Sequence, residues 1–568
     1  MIQFKSRILY IFVILNAALI FSFSSCVDSF ILPNTYVEIN LNEPPGSRPF
    51  TIKNQPLEVF QVIERAANDK NVSGIILNIC NISAGRDYLW ELRAALEQFK
   101  TSEKKLYAYI GNADMDIYLL ASVADKIIMH ELGGLGITGY AIGRGYMKQT
   151  FEKLGIGVKE LRYFEYKTAA ESYTRDSFSE ADRRQYNEYL DDIFNLSRDT
   201  LIQARGWTAQ EFENILNNEF MYSARAAKEK GFVDYVGGFS EVNSVLYEFE
   251  EMSFPINYSY ALFGKTETSL TGAMLPYNPP RASGSAPVIA IVYAEGQTDM
   301  TGGMSAAKLS RTIHDLANNG QVKAIVLRVN SPGGAADAAD YVNEAVRYAK
   351  IYKPVVVSMG EVAASGGYWV SMSASHITAN PYTITGSIGV IGTWFYDNGL
   401  NSKIGFKIDT LKRGAHSDLN IGFLVPYRNL TAQEEAQYKK YITDLYNIFT
   451  EKVTNARYSK EIDIEKAAQG RIFSGTRAME EGLIDSVGGL SDAIKIAREL
   501  AYISDEQSVR FKKYPEPTFM EKLMEKMPDS VSAALDNKLE HSLTKEIQYR
   551  LEKNGQVLPI LPMDFLIN

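Results

Sequence analysis

The chain has 568 residues, 46% of them hydrophobic and 22% charged, a globular composition that excludes a disordered chain, a collagen and a polytopic membrane protein. With 59 basic against 68 acidic side chains the net charge is −9, and no basic block is present, so nucleic acid is set aside as a partner. Two cysteines and five scattered histidines supply neither a disulfide scaffold nor a metal-ligand spacing, and no cofactor is expected.

At the N-terminus, Lys5 and Arg7 precede an apolar run from Ile8 to Phe23. As a helix it would span about 24 Å, short of the roughly 30 Å hydrocarbon core of a bilayer. That length suits the apolar region of a signal peptide better than a transmembrane helix. The run ends in Phe23-Ser24-Ser25-Cys26, similar to a bacterial lipobox, in which a small residue precedes a cysteine that is lipidated. Residues 1–26 are therefore expected to be a signal or anchor segment, either lipidated at Cys26 or left uncleaved.

The body of the chain repeats itself. ANDKNVSGIIL at 67–77 returns as ANNGQVKAIVL at 317–327, an offset of 250. The same offset pairs Ala124-Asp125-Lys126-Ile127 with Ala374-Ser375-His376-Ile377, and Gly136-Ile137-Thr138-Gly139 with Gly386-Ser387-Ile388-Gly389. Near the end of each half, Gly231 to Gly238 matches Gly482 to Gly489. Such a period is too long for a solenoid and marks a duplicated domain, at 35–253 and 288–500. In the second copy, β-branched runs predict buried strands at 288–293, 324–329 and 354–359, with helices at 306–318 and 338–350 between them. This is βαβ patterning and implies an α/β fold with a mainly parallel sheet. A long helix is predicted in each copy, at 431–456 in the second. Residues 254–287, rich in Gly, Pro, Ser and Thr, are expected to be a linker. Residues 501–568 form a tail, with an amphipathic helix at 518–552 and a final Pro-containing apolar segment.

The copies differ where chemistry would sit. In the second, the strand ending at Val329 runs into Asn330-Ser331-Pro332-Gly333-Gly334; the first has Cys80-Asn81-Ile82-Ser83-Ala84. A Pro-Gly-Gly turn at the end of a strand exposes backbone N–H groups and lets a substrate backbone approach, as an oxyanion hole requires. After the next strand comes Ala363-Ala364-Ser365-Gly366-Gly367-Tyr368-Trp369, one serine among small residues with a helix beginning behind it. The matching first-copy position, near Met115, has no serine. Ser365 is thus a candidate nucleophile, with the N–H of Gly366 able to join the 333–334 turn.

A serine needs a base. His376 aligns with Lys126 and suits an ordinary exposed site; His416 lies in a plausible loop. The competing candidate is Lys167, in Tyr163-Phe164-Glu165-Tyr166-Lys167-Thr168-Ala169-Ala170-Glu171, for which the second copy has no counterpart around His416 to Asp418. One copy keeps a serine without a lysine and the other a lysine without a serine. That asymmetry raises Lys167 above a solvated surface charge.

These stretches, with TGSIG at 385–389 and YKTAAESYTRDSFS at 166–179, resemble the signal peptide peptidase A family in its long, duplicated form. The resemblance runs from about Val37 to Glu499. It implies tandem domains of the Clp-protease/crotonase fold, built of ββα superhelix units. It also implies a membrane-bound Ser–Lys endopeptidase that degrades extended apolar peptides, such as cleaved signal peptides, with its body on the periplasmic side of the bacterial inner membrane and four chains in a dome. Carried onto this sequence, Ser365 is the nucleophile and Lys167 the base. Ser387 holds the lysine amine, and Gly333, Gly334 and Gly366 form the oxyanion hole, giving one site per chain between two domains. Free lysine titrates near 10.4, so a neutral amine at pH 7 has to be favoured by roughly 4 kcal/mol, which burial in an interdomain cleft can supply. Glu165 and Glu171 are expected to point away from it. Two alternatives stand beside this one: a crotonase-like acyl-CoA enzyme and a non-catalytic scaffold that grips peptides.

Overall fold

The structure is a computed structural model. It describes residues 32–42, 57–82, 84–250, 257–261, 276–277, 284–516, 557–558 and 565–567. The segment 1–26 with Cys26, and the helix expected at 518–552, lie outside the described residues.

Each copy is built on its own sheet. The first orders its strands Pro276–Tyr277, Asn257–Ala261, Thr35–Asn40, Val72–Ile79, Lys105–Ile110, Lys126–Met129 and Tyr235–Val236, all parallel. The second runs Ile472–Phe473, Ile384–Gly386, Val355–Ala364, Val322–Ser331, Val288–Glu295 and Arg510–Tyr514, with His376–Ala379 and Ser486–Val487 branching beside Val355–Ala364. It is parallel except where Ile384–Gly386 meets Ile472–Phe473. The strands read as continuous apolar runs because both of their faces are covered. Along Val288–Glu295 the faces alternate: Val288, Ala290 and Val292 pack under helices Ala306–Asn318 and Ala336–Tyr352 of the same copy. Ile289, Ile291 and Tyr293 join the core of the first copy. There, helix Leu490–Leu500 and the first copy's Arg86–Lys100 fill the space between sheets.

The duplicated α/β architecture expected from the repeat is what the chain adopts, and the two copies share a core. Their seam also buries charge. Arg328 donates to Glu91 (2.7 Å), Asp87 (3.1 Å) and Ser358 Oγ (2.8 Å). Buried charges persist when paired and hydrogen-bonded in this way. A long helix follows in each copy, Glu180–Arg205 capped by Ser179 and Ala432–Ala456 capped by Thr431.

The structure departs from the sequence expectations at several strands. The strand expected at 354–359 continues to Ala364, because a register shift past Val329 is absorbed and Asn330 Oδ1 accepts the Val362 N–H. Asn257–Ala261, inside the 254–287 stretch, pairs with Thr35–Asn40. Arg510–Tyr514, in the tail, pairs with Val288–Glu295. Farther along the tail, Val557–Leu558 lies against Ile391–Asp397 and Phe565–Ile567 against Ile142–Arg144. No helix among the described residues is long and apolar enough to cross a membrane.

Candidate active site

Ser365 follows the last residue of strand Val355–Ala364 and caps helix Gly366–Ser371. Its backbone sits at φ 58° and ψ −112°, a region that L-residues rarely adopt and that strained functional turns use. The turn is held by its N–H donating to Gly386 O (2.8 Å) and by Trp369 N–H donating to Ser365 O (2.9 Å). The side chain is fully buried.

The Gly-Gly turn packs directly beside it, braced by a residue the sequence did not single out. Thr298 N–H donates to Gly333 O (2.8 Å), and Ala335 N–H to Thr298 O (2.7 Å). A Cβ on Gly334 would stand 2.3 Å from Thr298 O, and one on Gly366 2.9 Å from Gly333 Cα, so glycine is required at both for the turns to meet. The three glycines are not equivalent as donors. Gly333 N–H already donates to Ser331 Oγ (3.2 Å), whereas those of Gly334 and Gly366 have no acceptor among the described residues.

Lys167 comes from the other copy, in the turn between strand Ile156–Leu161 and helix Glu171–Thr174. Strand Ile156–Leu161 pairs antiparallel with Ile391–Asp397 of the second copy, which carries the turn across the seam. Phe164 then stacks on Tyr446 of helix Ala432–Ala456, with ring centroids 3.9 Å apart. Gly470 of the second copy, at φ 83°, backs the lysine; a Cβ there would lie 2.6 Å from Lys167 N and Cβ. The amine is buried and lies 2.6 Å from Ser365 Oγ, 2.8 Å from Ser387 O and 2.9 Å from Ser387 Oγ. Ser387 is itself strained at φ 51° and donates its N–H to Arg471 O (2.7 Å).

Ser365, Lys167, Ser387, Gly334 and Gly366 are therefore assembled within one chain, with Gly333 shaping the turn. Glu165 pairs with Arg184 (3.7 Å) and Glu171 with Arg162 (2.8 Å). The histidines are engaged elsewhere: His416 Nδ1 with Glu434 (2.8 Å) and His376 Nε2 with Ser486 Oγ (2.9 Å), burial pushing His376 below its ordinary value. At the place where the second copy lacks a lysine, buried Asp418 is bonded by Arg428 and Lys412. Among the described residues no group of three or more His, Cys, Asp or Glu is placed to hold a metal ion.

A buried polar group beneath Lys167 also escaped sequence reasoning: Arg144, Asp182 and Gln185. Arg144 and Asp182 form an ion pair (2.5 Å) sealed from solvent, and Gln185 spans to the second copy through Ile472 N–H (3.2 Å). The spacing 182, 185, 188, 192 on one helix face was the available signal, since all four side chains reach either the lysine turn or the other copy.

Comparison with known proteins fits this arrangement. The model of peptidase family S49 matches residues 98–252 and 347–504, once in each copy. The chain is 31% identical over 461 residues to "Serine protease SPPA, chloroplastic" of Arabidopsis thaliana, covering 80% of this chain and 67% of that one. It is 29% identical over 505 residues to "Protease 4" of Salmonella typhi, covering 86% and 79%. A solved ClpP1 mutant of Listeria monocytogenes aligns at 15% identity over 36% of this chain and 94% of its own, with a TM-score of 0.24. Two family matches, one on each repeat, account for more than half of the residues: the chain belongs to peptidase family S49 and is a serine-type peptidase.

Proposed function

We propose that the chain is a membrane-associated endopeptidase that degrades extended apolar peptides, cleaved signal peptides above all, with a Ser365–Lys167 dyad. The observation that carries this is the 2.6 Å contact between a buried lysine amine and a buried serine hydroxyl at a strained turn. Burial disfavours the ammonium form. A neutral amine has two N–H donors and one lone pair, which match Ser387 O, Ser387 Oγ and the Ser365 O–H. Lys167 takes the Ser365 proton as Oγ attacks a peptide carbonyl. The new oxyanion accepts from the N–H groups of Gly334 and Gly366, which have no acceptor among the described residues. The lysine then passes its proton to the leaving amine, and water, activated by the same amine, releases the acyl-enzyme. Ser365→Ala and Lys167→Ala assayed on an apolar peptide test this; turnover by either variant at the parental rate refutes the dyad.

Assembly into a tetramer is part of the same proposal, and the repeat supports it. Surfaces that one copy buries against the other recur exposed at the matching positions. Leu161 is 0% exposed and Leu411 98%; Tyr382 is 3% and Leu132 84%; Ile472 is 2% and Met221 63%. An exposed surface of either copy that resembles the other copy's buried one can meet the next chain in the same way, and such head-to-tail contacts close into rings. Anchoring at the periplasmic face of the inner membrane, through the N-terminal segment with Cys26 as lipid site, completes the proposal and would bring Ser365 and Lys167 close to apolar substrates in the bilayer.

The rival is a scaffold that binds peptides without cutting them. It predicts that a fluorophosphonate leaves Ser365 unlabelled.

A further inference from the structure

Resting on Lys167 as the base, we propose that Gln185 and Asp182 are positioning residues that fix the lysine turn relative to the serine-bearing copy. Lys167 is bracketed by its neighbours' backbone. Gln185 Nε2 donates to Tyr166 O (3.2 Å), ahead of the lysine. Behind it, Arg144 donates to Thr168 O (2.7 Å), and Thr168 Oγ1 donates to Asp182 Oδ1 (2.5 Å). Asp182 also receives Arg144 Nη1 and Gln185 Nε2 (3.1 Å). All of these side-chain contacts are buried or nearly so, where hydrogen bonds are stiff and an unmade one is costly.

The second half of the device is the segment 469–472 of the other copy. Toward the first copy, Gln469 O accepts from Tyr166 N–H (3.0 Å) and Ile472 N–H donates to Gln185 Oε1 (3.2 Å). Toward its own copy, Arg471 O accepts from Ser387 N–H (2.7 Å) and Gly470 N–H donates to Ile388 O (2.8 Å). The peptide joining Arg471 to Ile472 therefore bonds Ser387 with its carbonyl and Gln185 with its N–H. An amide side chain is needed at 185, because it must donate toward Tyr166 and accept from Ile472 at once. The segment acts as a spacer whose two edges hold the lysine turn and the serine that contacts its amine.

Displacement of a reacting group by about 1 Å costs on the order of 100-fold in rate. Gln185→Leu keeps the volume and removes the bonds to Tyr166, Asp182 and Ile472; Asp182→Asn keeps the shape and removes the charge facing Arg144. In the full chain, each is expected to lower kcat on an apolar peptide by about 10- to 100-fold with KM within about twofold, and to slow fluorophosphonate labelling of Ser365 by the same factor. The pH dependence of kcat should move as well, because the surroundings of the amine change. Gln185→Glu retains the acceptor for Ile472 N–H and removes the donor to Tyr166 O, so it should share the kcat defect even where Asp182→Asn fails to fold. If folded Gln185→Leu and Gln185→Glu turn over at the parental rate with the parental pH profile, the positioning role is overturned. Lys167→Ala separates the two ideas: an active Lys167→Ala sinks the dyad itself, whereas an inactive one beside parental Gln185 variants sinks only the spacer.

Discussion

Lys167 Nζ and Ser365 Oγ stand 2.6 Å apart although 198 residues separate them in the chain. Each is carried by a different copy of the repeat, and each copy has lost what the other keeps. The contact lies within one chain, so a single polypeptide holds a complete pair. One half carries the hydroxyl and the neighbouring glycine N–H groups, and the other the amine.

Ser365→Ala and Lys167→Ala should each lower peptide hydrolysis by at least about 1000-fold. Lys167→Arg should be as inactive as Lys167→Ala, because a guanidinium stays protonated at any usable pH. Steady-state rates on an apolar peptide check this, with circular dichroism to confirm folding. His376→Ala and His416→Ala should keep most of the activity; a collapse in either would reinstate a histidine base.

Gly470→Ala should disable the site without touching either reactive side chain. Its Cβ would fall 2.6 Å from the Lys167 backbone, at a φ of 83° that already disfavours alanine. A stability loss of about 1–3 kcal/mol is expected, together with slowed labelling of Ser365. Denaturant unfolding and probe kinetics on one preparation would report both, and parental labelling would contradict the close packing.

Leu411→Asp should break chain–chain assembly, since Leu411 is the exposed counterpart of the buried Leu161. Analytical ultracentrifugation would follow the shift to smaller species. Lys167 and Ser365 meet within one chain, so on the proposed dyad hydrolysis of a short peptide per chain should survive. A variant that still sediments as the parent would remove this surface from the interface.

Acid should loosen the second copy through Asp485. Burial alone would raise its pKa, but bonds from Arg457, Lys460 and the Ile377 N–H outweigh it and hold the carboxyl down to about 2. A folded value below the unfolded one, near 3.9, gives stability that is present above pH 4 and lost as pH falls toward 2. Arg457→Met should flatten that dependence, as measured by urea midpoints between pH 5 and 2. An unchanged slope would show that the pair does not govern acid stability.

The sequence made the nucleophile stretch legible because its chemistry is local: a strand, small residues and a serine before a helix. Lys167 was legible only by comparison of the copies, since by itself it is one basic residue among many. Thr298 was silent because its contacts to Gly333 and Ala335, by backbone and hydroxyl, join segments far apart in sequence and follow no local pattern. Gln185 and Asp182 read as the polar face of a long helix; Asp182 is covered by Arg144 and Thr168 of its own copy and Gln185 meets Ile472 of the other, contacts that no local pattern shows. Gly333 illustrates the limit of a motif: its place in the turn was readable, but the Ser331 hydroxyl that occupies its N–H was not. The extension of strand Val355–Ala364 past Gly360 was hidden for a similar reason, because it depends on the Asn330 side chain of a neighbouring strand.

The spacer 469–472 lies far beyond both reactive residues in the direction of synthesis. Lys167, Ser365 and this segment come in that order along the chain, so the piece that bonds both the lysine turn and Ser387 is the one farthest from Lys167 in sequence. On the proposed reading, a product that carries both residues but stops before Gln469 would hold the serine and the lysine without the segment that spaces them, and would be inert.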